Sequence, residues 1–466
     1  MEVTYSEWCE GKLRASAAED AGPHGALHPR LFPFQKQVTE WALRLGRAAI
    51  FAECGLGKTA MQLEWARHVA AHTGRRVLII APLAVASQTI REAASMDLPV
   101  EYVRTAAEVD AAAARVVITN YERLDAVPVE AFGGGVLDEA SILKSFMGRT
   151  KTELVRRCAS VRYRLACTAT PAPNDHLELG NHAEFLGVLQ SHEMIARWFI
   201  NDTSAFGVYR LKGHAIEPYW DWVASWAVCI ALPSDIGHDD DGYVLPALDL
   251  LSHWVEVDTT QDTGGLLFRS PEMSASQIHK ETRRTVHARA AEVARLVAAE
   301  PGEQWVVWCE TDYEADALTD AIPDAVEVRG SNSLERKERA ALDFGDGKIR
   351  VLVTKAAIFG WGLNWQHVAR VAFVGATFSY EAFYQAIRRC WRFGQPRPVD
   401  VHVVMAHTEA SVWKILSDKR DAHDSMREHM SAAMRRAQSR SSAHRAYEAS
   451  LRMNVPAWLA REERAA

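Results

Sequence analysis

Four short stretches carry residue types whose spacing suits phosphate chemistry. Gly55-Leu56-Gly57-Lys58-Thr59 follows the apolar run AIFA and opens a helical pattern. In a strand, glycine loop, helix context, glycines let backbone N–H groups close around phosphates, and the helix N-terminus adds a favourable dipole. Lys58 would then reach the terminal phosphates of a nucleotide, and Thr59 would hold Mg2+. Taken alone, the stretch is equally a glycine turn with a chance Lys-Thr, and Ala52 stands where the general pattern has its first glycine. Eighty residues after Lys58, an apolar run ends in Asp138-Glu139-Ala140-Ser141. A carboxylate at the end of a buried strand suits Mg2+, so Asp138 joins Thr59 as a metal candidate. Glu139 is placed to orient and deprotonate an attacking water. An isolated Asp-Glu pair is usually a solvated turn, which the preceding apolar run argues against. Arg164–Pro171 (RLACTATP) sets two hydroxyls, Thr168 and Thr170, at a strand end. Gln385–Gln395 (QAIRRCWRFGQ) packs three arginines into five positions of an expected helix, with Arg389 and Arg392 on one face. Two neighbouring guanidiniums need an anion, and developing charge on a γ-phosphate is one; an exposed basic helix is the plainer alternative.

Elements that could hold these residues recur in two blocks. Ala48–Ala52, Val77–Ala81, Val116–Thr119, Gly135–Leu137 and Arg164–Cys167 form the first set of continuous apolar runs. Trp305–Cys309, Ala325–Arg329, Arg350–Thr354, Val371–Val374 and Val399–Met405 form the second. Continuous runs separated by helical patterns predict parallel strands covered on both faces. The expected fold class is therefore α/β, with two parallel-sheet lobes of similar build at residues 30–190 and 281–415. An irregular, Trp-rich acidic connector (191–280) joins them, flanked by an N-terminal extension (1–29) and a helical Arg-rich tail (416–466). Trp220, Trp222 and Trp226 in the connector are expected to pack rather than to stack on bases. The default for the tail is a solvated helix.

Composition sets outer limits. Of 466 residues, 48% are hydrophobic and 24% charged, the mix of a chain with real cores. No apolar stretch is long enough for a membrane span, and the start lacks the pattern of a secretory signal. Seven dispersed cysteines without metal-site spacing suggest reduced thiols in a cytoplasmic setting.

Read in order, the motifs resemble those of superfamily-two helicases, specifically Swi/Snf-type DNA translocases, over residues 30–415. Phe32–Gln37 resembles the segment in which a glutamine, here Gln35, reads adenine. AECGLGKTA resembles motif one, and residues 77–93 motif Ia. VLDEASILKS is similar to the DEAD/DEAH-box motif two, with Ser141 in place of histidine. LACTATPAPND resembles motif three, which makes Thr168 and Thr170 coupling residues. VVWCETD, VTKAAIFGWGLNWQ and QAIRRCWRFGQ resemble motifs four, five and six. The resemblance implies nucleotide contacts from Gly55, Gly57, Gly362 and Gln385 and finger roles for Arg389 and Arg392. It also implies nucleic-acid contacts from Ser87, Gln88, Thr354 and Asn364. Arg388 departs from the family's usual glycine, and Trp361 interrupts the usual glycine pair. Phage- and prophage-encoded members look nearest, which implies the cytoplasm of a bacterium or of a phage-infected host.

What the resemblance implies is two RecA-like lobes with ATP and Mg2+ use in the cleft between them, driving movement along DNA, with a duplex preferred to a single strand and RNA an open option. A strand-separating helicase and a nucleic-acid-binding protein with a vestigial ATPase are the alternatives. The net charge of −7 does not oppose a nucleic-acid partner. Residues 231–265 carry eight acidic side chains and no Lys or Arg, so the remainder of the chain nets +1.

Overall fold

Strand propensity and burial explain both sheets. The computed structural model describes residues 22–145, 148–201, 209–256, 275–359, 364–377 and 379–442. The first lobe contains β1 (Arg47–Ala52), β2 (Val77–Ala81), β3 (Val100–Tyr102), β4 (Val116–Asn120), β5 (Gly134–Asp138) and β6 (Tyr163–Thr168). After a small hairpin of β7 (Phe199–Asn201) and β8 (Tyr209–Leu211), β9 (Ala227–Ile230) completes the sheet. The order is β3-β4-β2-β5-β6-β1-β9, and every pairing is parallel. β2, β5 and β6 are buried at every position, as continuous apolar runs require when helices cover both faces.

The second lobe contains β10 (Leu248–Val255), β11 (Trp305–Cys309), β12 (Ala325–Val328), β13 (Val351–Lys355), β14 (Arg370–Val374) and β15 (Val399–Ala406). Its order is β10-β15-β14-β11-β13-β12, again wholly parallel. The fold class expected from the sequence, two parallel α/β lobes, is the one observed.

Two features of the first lobe set the site. Gly134 lets the helix Lys58–Thr73 lie close on β5, because a Cβ there would meet Val69 at 2.7 Å. The register then aligns three strand ends. Phe51 on β1 sits opposite Thr168 on β6, and Cys167 sits opposite Asp138 on β5.

Between the lobes the irregular stretch is narrower than residues 191–280. β9 pairs with β1 at the edge of the first sheet, and β10 pairs with β15 along eight residues of the second. Sequence reading passed over β9 because four residues among tryptophans carry little periodic signal. It passed over β10 because that strand lies at an edge, half-exposed and rich in polar residues. Trp220 and Trp226 are buried, and Trp198 stacks on Trp222 at 4.6 Å between centroids. The aromatic cluster is therefore packing.

The tail corrects the expectation of a solvated helix. The helix Ala410–Ser442 follows β15 and crosses to the first lobe, where Met426, Met430 and Ala433 are buried in its core. Arg436 bonds Asp221 at 2.7 Å, and the Cys229 N–H meets Met434 Sδ at 3.0 Å.

Candidate functional site

The phosphate loop turns where its glycines permit. Gly55 and Gly57 have φ of 97° and 76°, a region that costs other residues strain. The helix begins at Lys58, whose ammonium donates to the Ala52 carbonyl at 2.6 Å and the Glu53 carbonyl at 3.2 Å. Gln35 is buried against the loop, donating Nε2 to the Leu56 carbonyl at 2.9 Å and accepting from the Phe32 N–H at 2.9 Å. Gly57 leaves room for that amide, since a Cβ would lie 2.3 Å from it.

The acidic pair straddles the end of β5, with Asp138 its last residue. Burial pushes the Asp138 carboxyl up, offset in part by the nearby Gln62 amide and the Lys58 charge. A buried acid raised by desolvation is one that a divalent cation relieves, so Asp138 and Thr59 fit an Mg2+ pair. Glu139 is held at φ 61°, ψ 59°, in the left-handed region that non-glycine residues seldom occupy. That backbone turns its carboxylate inward, where Thr168 donates to Oε1 and the Ser141 hydroxyl lies 3.1 Å away. Burial first, and then Glu381, push the Glu139 carboxyl up to about 7, a range suited to a general base.

The second lobe closes the opposite wall. Arg389 and Arg392 do not share a helical face, which corrects the expectation. The helix ends at Ile387, and both arginines lie on the turns that follow, finishing at Gly394 with φ 88°. Even so, both reach the cleft. Arg389 Nε bonds the Gln385 carbonyl at 3.0 Å, and Gln385 Nε2 is 3.5 Å from Glu139 Oε2. Burial lowers the Arg389 pKa, and burial with the neighbouring Arg389 brings Arg392 down to about 10. Two desolvated cations side by side are the arrangement an incoming polyanion stabilises.

Together these groups line an open cleft of about 860 Å³: Gly55, Gly57, Lys58 and Thr59 on one wall, Asp138 and Glu139 at its floor, Asn364, Gln385, Arg389 and Arg392 opposite. Gln88 lines the same cleft with Glu92, so it faces the nucleotide wall rather than an outer nucleic-acid surface. Ser87 is exposed on the same helix. Thr354 is buried, with its hydroxyl donated to the Val328 carbonyl at 3.1 Å, which corrects its assignment as a nucleic-acid contact. Thr168 supports Glu139 directly, and Thr170 donates its N–H to the Thr168 hydroxyl at 3.1 Å. Gly362 lies outside the described residues.

Sequence reasoning passed over four cross-cleft residues. Glu381 accepts from Ser141 and Lys144. Glu53 accepts from Tyr384 and pairs with Arg388 at 2.7 Å. Arg388 had been noted only as a departure from a motif. Nothing in local sequence signals partners from opposite lobes.

Residues 288–394 match the helicase conserved C-terminal domain. A putative protein, p41, of Acyrthosiphon pisum secondary endosymbiont phage 1 is 24% identical over 87% of this chain and 98% of its own length. The bifunctional helicase and thymine dioxygenase JBP2 of Leishmania braziliensis is 34% identical over 83 residues, which is 18% of this chain and 8% of that protein. Among solved structures, the Sulfolobus solfataricus SWI2/SNF2 ATPase core in complex with dsDNA aligns over 90% of this chain and 97% of its own, at 16% identity and a TM-score of 0.42. Among the described residues no helix is long and apolar enough to cross a membrane. Across residues 288–394 the chain is thus similar to the conserved C-terminal domain of helicases, the stretch that holds Gln385, Arg389 and Arg392.

Proposed function

We propose that this protein hydrolyses ATP in the cleft between its lobes and uses the cycle to move along duplex DNA. One observation carries the reading: Lys58, Asp138 and Glu139 of one lobe face Arg389 and Arg392 of the other across one cavity. Phosphoryl transfer to water needs a cradle for the phosphates, a base for the water and cations for the developing charge. Here the loop supplies the first, Glu139 the second, and Lys58 with the two arginines the third. Thr59 and Asp138 would hold Mg2+, which when bound neutralises phosphate charge. Because the cations come from both lobes, γ-phosphate binding favours closure and its loss favours opening. Alternating closure would shift one lobe along a nucleic-acid backbone, where phosphate contacts suffice without base readout. The choice of DNA rests on the motif resemblance. Ser87 remains a proposed contact, whereas Asn364 lines the cleft as Gln88 does.

Steady-state ATP hydrolysis with duplex DNA, single-stranded DNA and RNA tests the reading, paired with triplex-displacement and strand-separation assays. Stimulation by duplex and triplex displacement without unwinding is expected. Glu139→Gln should lower turnover on the order of a hundredfold or more while the protein remains folded. Turnover indifferent to every nucleic acid would sink the translocase reading, and unwinding would replace it with a strand-separating helicase. ATP binding without hydrolysis under any condition would leave a nucleic-acid-binding protein with a vestigial ATPase.

A further inference from the structure

Three consecutive carbonyls at the start of the phosphate loop are each held by a cation, but not from the same side. Lys58 of the first lobe takes those of Ala52 and Glu53, at 2.6 and 3.2 Å. The third, Cys54, accepts from Arg388 Nη2 at 2.8 Å, and Arg388 belongs to the second lobe. The same nitrogen lies 2.7 Å from Glu53 Oε2, so one guanidinium grips both the backbone and a side chain of the loop. Arg388 is 3% exposed and is stacked over Trp391, with its carbon 4.8 Å from the ring centroid. Tyr384 donates to the Glu53 carboxylate, and Arg427 of the C-terminal helix stands 3.9 Å from it. Phe393 presses on the loop from the same direction, close enough that a Cβ on Gly55 would meet it at 3.1 Å.

A phosphate-binding loop works by presenting N–H groups, and the orientation of each peptide fixes where its N–H points. Turning a carbonyl toward a cation turns the N–H on the far side of that peptide plane the other way. The Cys54 carbonyl shares its plane with the Gly55 N–H, which lies within the glycine stretch expected to meet phosphate. Gly55 tolerates several orientations of that plane, so some contact must select one.

We propose that Arg388 is a positioning residue: delivered by the second lobe and anchored on Glu53, it fixes the Cys54–Gly55 peptide so that the loop is ready for nucleotide only when the lobes meet. This inference rests on the cleft binding ATP. It gives Arg388 a task different from that of Arg389 and Arg392, which face the cleft itself. Nucleotide affinity then depends on closure from the outset, before any transition-state charge develops.

The test separates positioning from mere support. A buried ion pair that loses one partner is destabilised, whereas removal of both partners relieves the uncompensated charge. Arg388→Met, Arg388→Lys, Glu53→Gln and the double variant Glu53→Gln/Arg388→Met are compared by thermal melting, by KM and kcat for ATP, and by binding of a fluorescent non-hydrolysable ATP analogue. Arg388→Met should raise KM and weaken analogue binding about tenfold, with kcat changed less than about threefold. Arg388→Lys should recover part of the affinity. The double variant should regain the melting temperature lost by Arg388→Met yet keep its weakened binding. Recovery of both stability and affinity in the double variant would overturn the proposal, because a supporting role predicts that outcome. So would a loss of kcat at constant KM, which would make Arg388 a transition-state finger. Wild-type protein that binds no analogue would remove the ATPase reading and this inference together. Wild-type binding unaffected by any variant would remove this inference alone.

Discussion

Two acidic side chains bridge the lobes, and they do so in opposite senses. Glu53 belongs to the first lobe and receives Tyr384, Arg388 and Arg427 from the second lobe and its trailing helix. Glu381 belongs to the second lobe and receives Ser141 and Lys144 from the first. Their surroundings differ more than their chemistry. The two carboxylates are equally buried, Glu53 at 8% and Glu381 at 7% exposed, but their cations are not: Arg388 is 3% exposed and Lys144 41%. A sealed ion pair has no water to replace a lost partner, while a half-open one does. The first bridge is therefore the structural tie, and the second is a contact that solvent can exchange.

Four measurements press on that contrast. Glu53→Ala leaves Arg388 and Arg427 facing each other without an anion, and should cost about 3–5 kcal/mol in urea denaturation. A loss no greater than that of an exposed pair would erase the distinction. Acid gives a second handle. With Arg388, Arg427 and Tyr384 overcoming its burial, the Glu53 carboxyl is held down to about 2 against an ordinary 4.5. Its stabilisation of about 3 kcal/mol is thus complete above pH 4.5 and disappears as the pH falls through 2. The wild-type advantage over Glu53→Gln should shrink across that window, and an advantage independent of pH would contradict it. Met430→Ala removes a side chain that seats the Arg427-bearing helix on the first lobe. A loss of about 2–3 kcal/mol is expected from differential scanning calorimetry, and no loss would mean that the helix is not anchored there. Lys144→Ala should be nearly silent, within about 1 kcal/mol in the same denaturation assay. A larger cost would place the Glu381 bridge on a par with the sealed one.

The parts of the site that lay open in the sequence are those whose chemistry and context are contiguous. The glycine loop announces itself because strand, turn residues and helix follow one another within a dozen positions. Asp138 and Glu139 announce themselves because an apolar run leads straight into them. Continuous runs such as VLIIA and WVVWC likewise specify buried parallel strands by themselves. What stayed hidden depends on partners distant in the chain. Arg388 looked like a defect in a motif until Glu53 was seen beside it. Thr354 looked like a surface contact because its motif includes one, yet the sheet turned its hydroxyl inward to Val328. The arginine face failed for another reason: helix periodicity was carried past Ile387, where the backbone leaves the helix.

The helix Ala410–Ser442 changes what kind of machine two lobes can form. One crossing runs from Ile236, just after β9, to β10; the other leaves after β15, the strand beside β10, and comes back to β9. Arg435 on this second crossing lies 3.7 Å from Asp235, just before the first crossing leaves, so the two meet at the first lobe. A single thread would let the lobes swing, twist and slide. A second thread restrains them, because moving the lobes freely would mean pulling Met426 and Met430 from their seats. Under the proposed cycle, a second tether narrows the lobe movements that a change at the phosphates can drive.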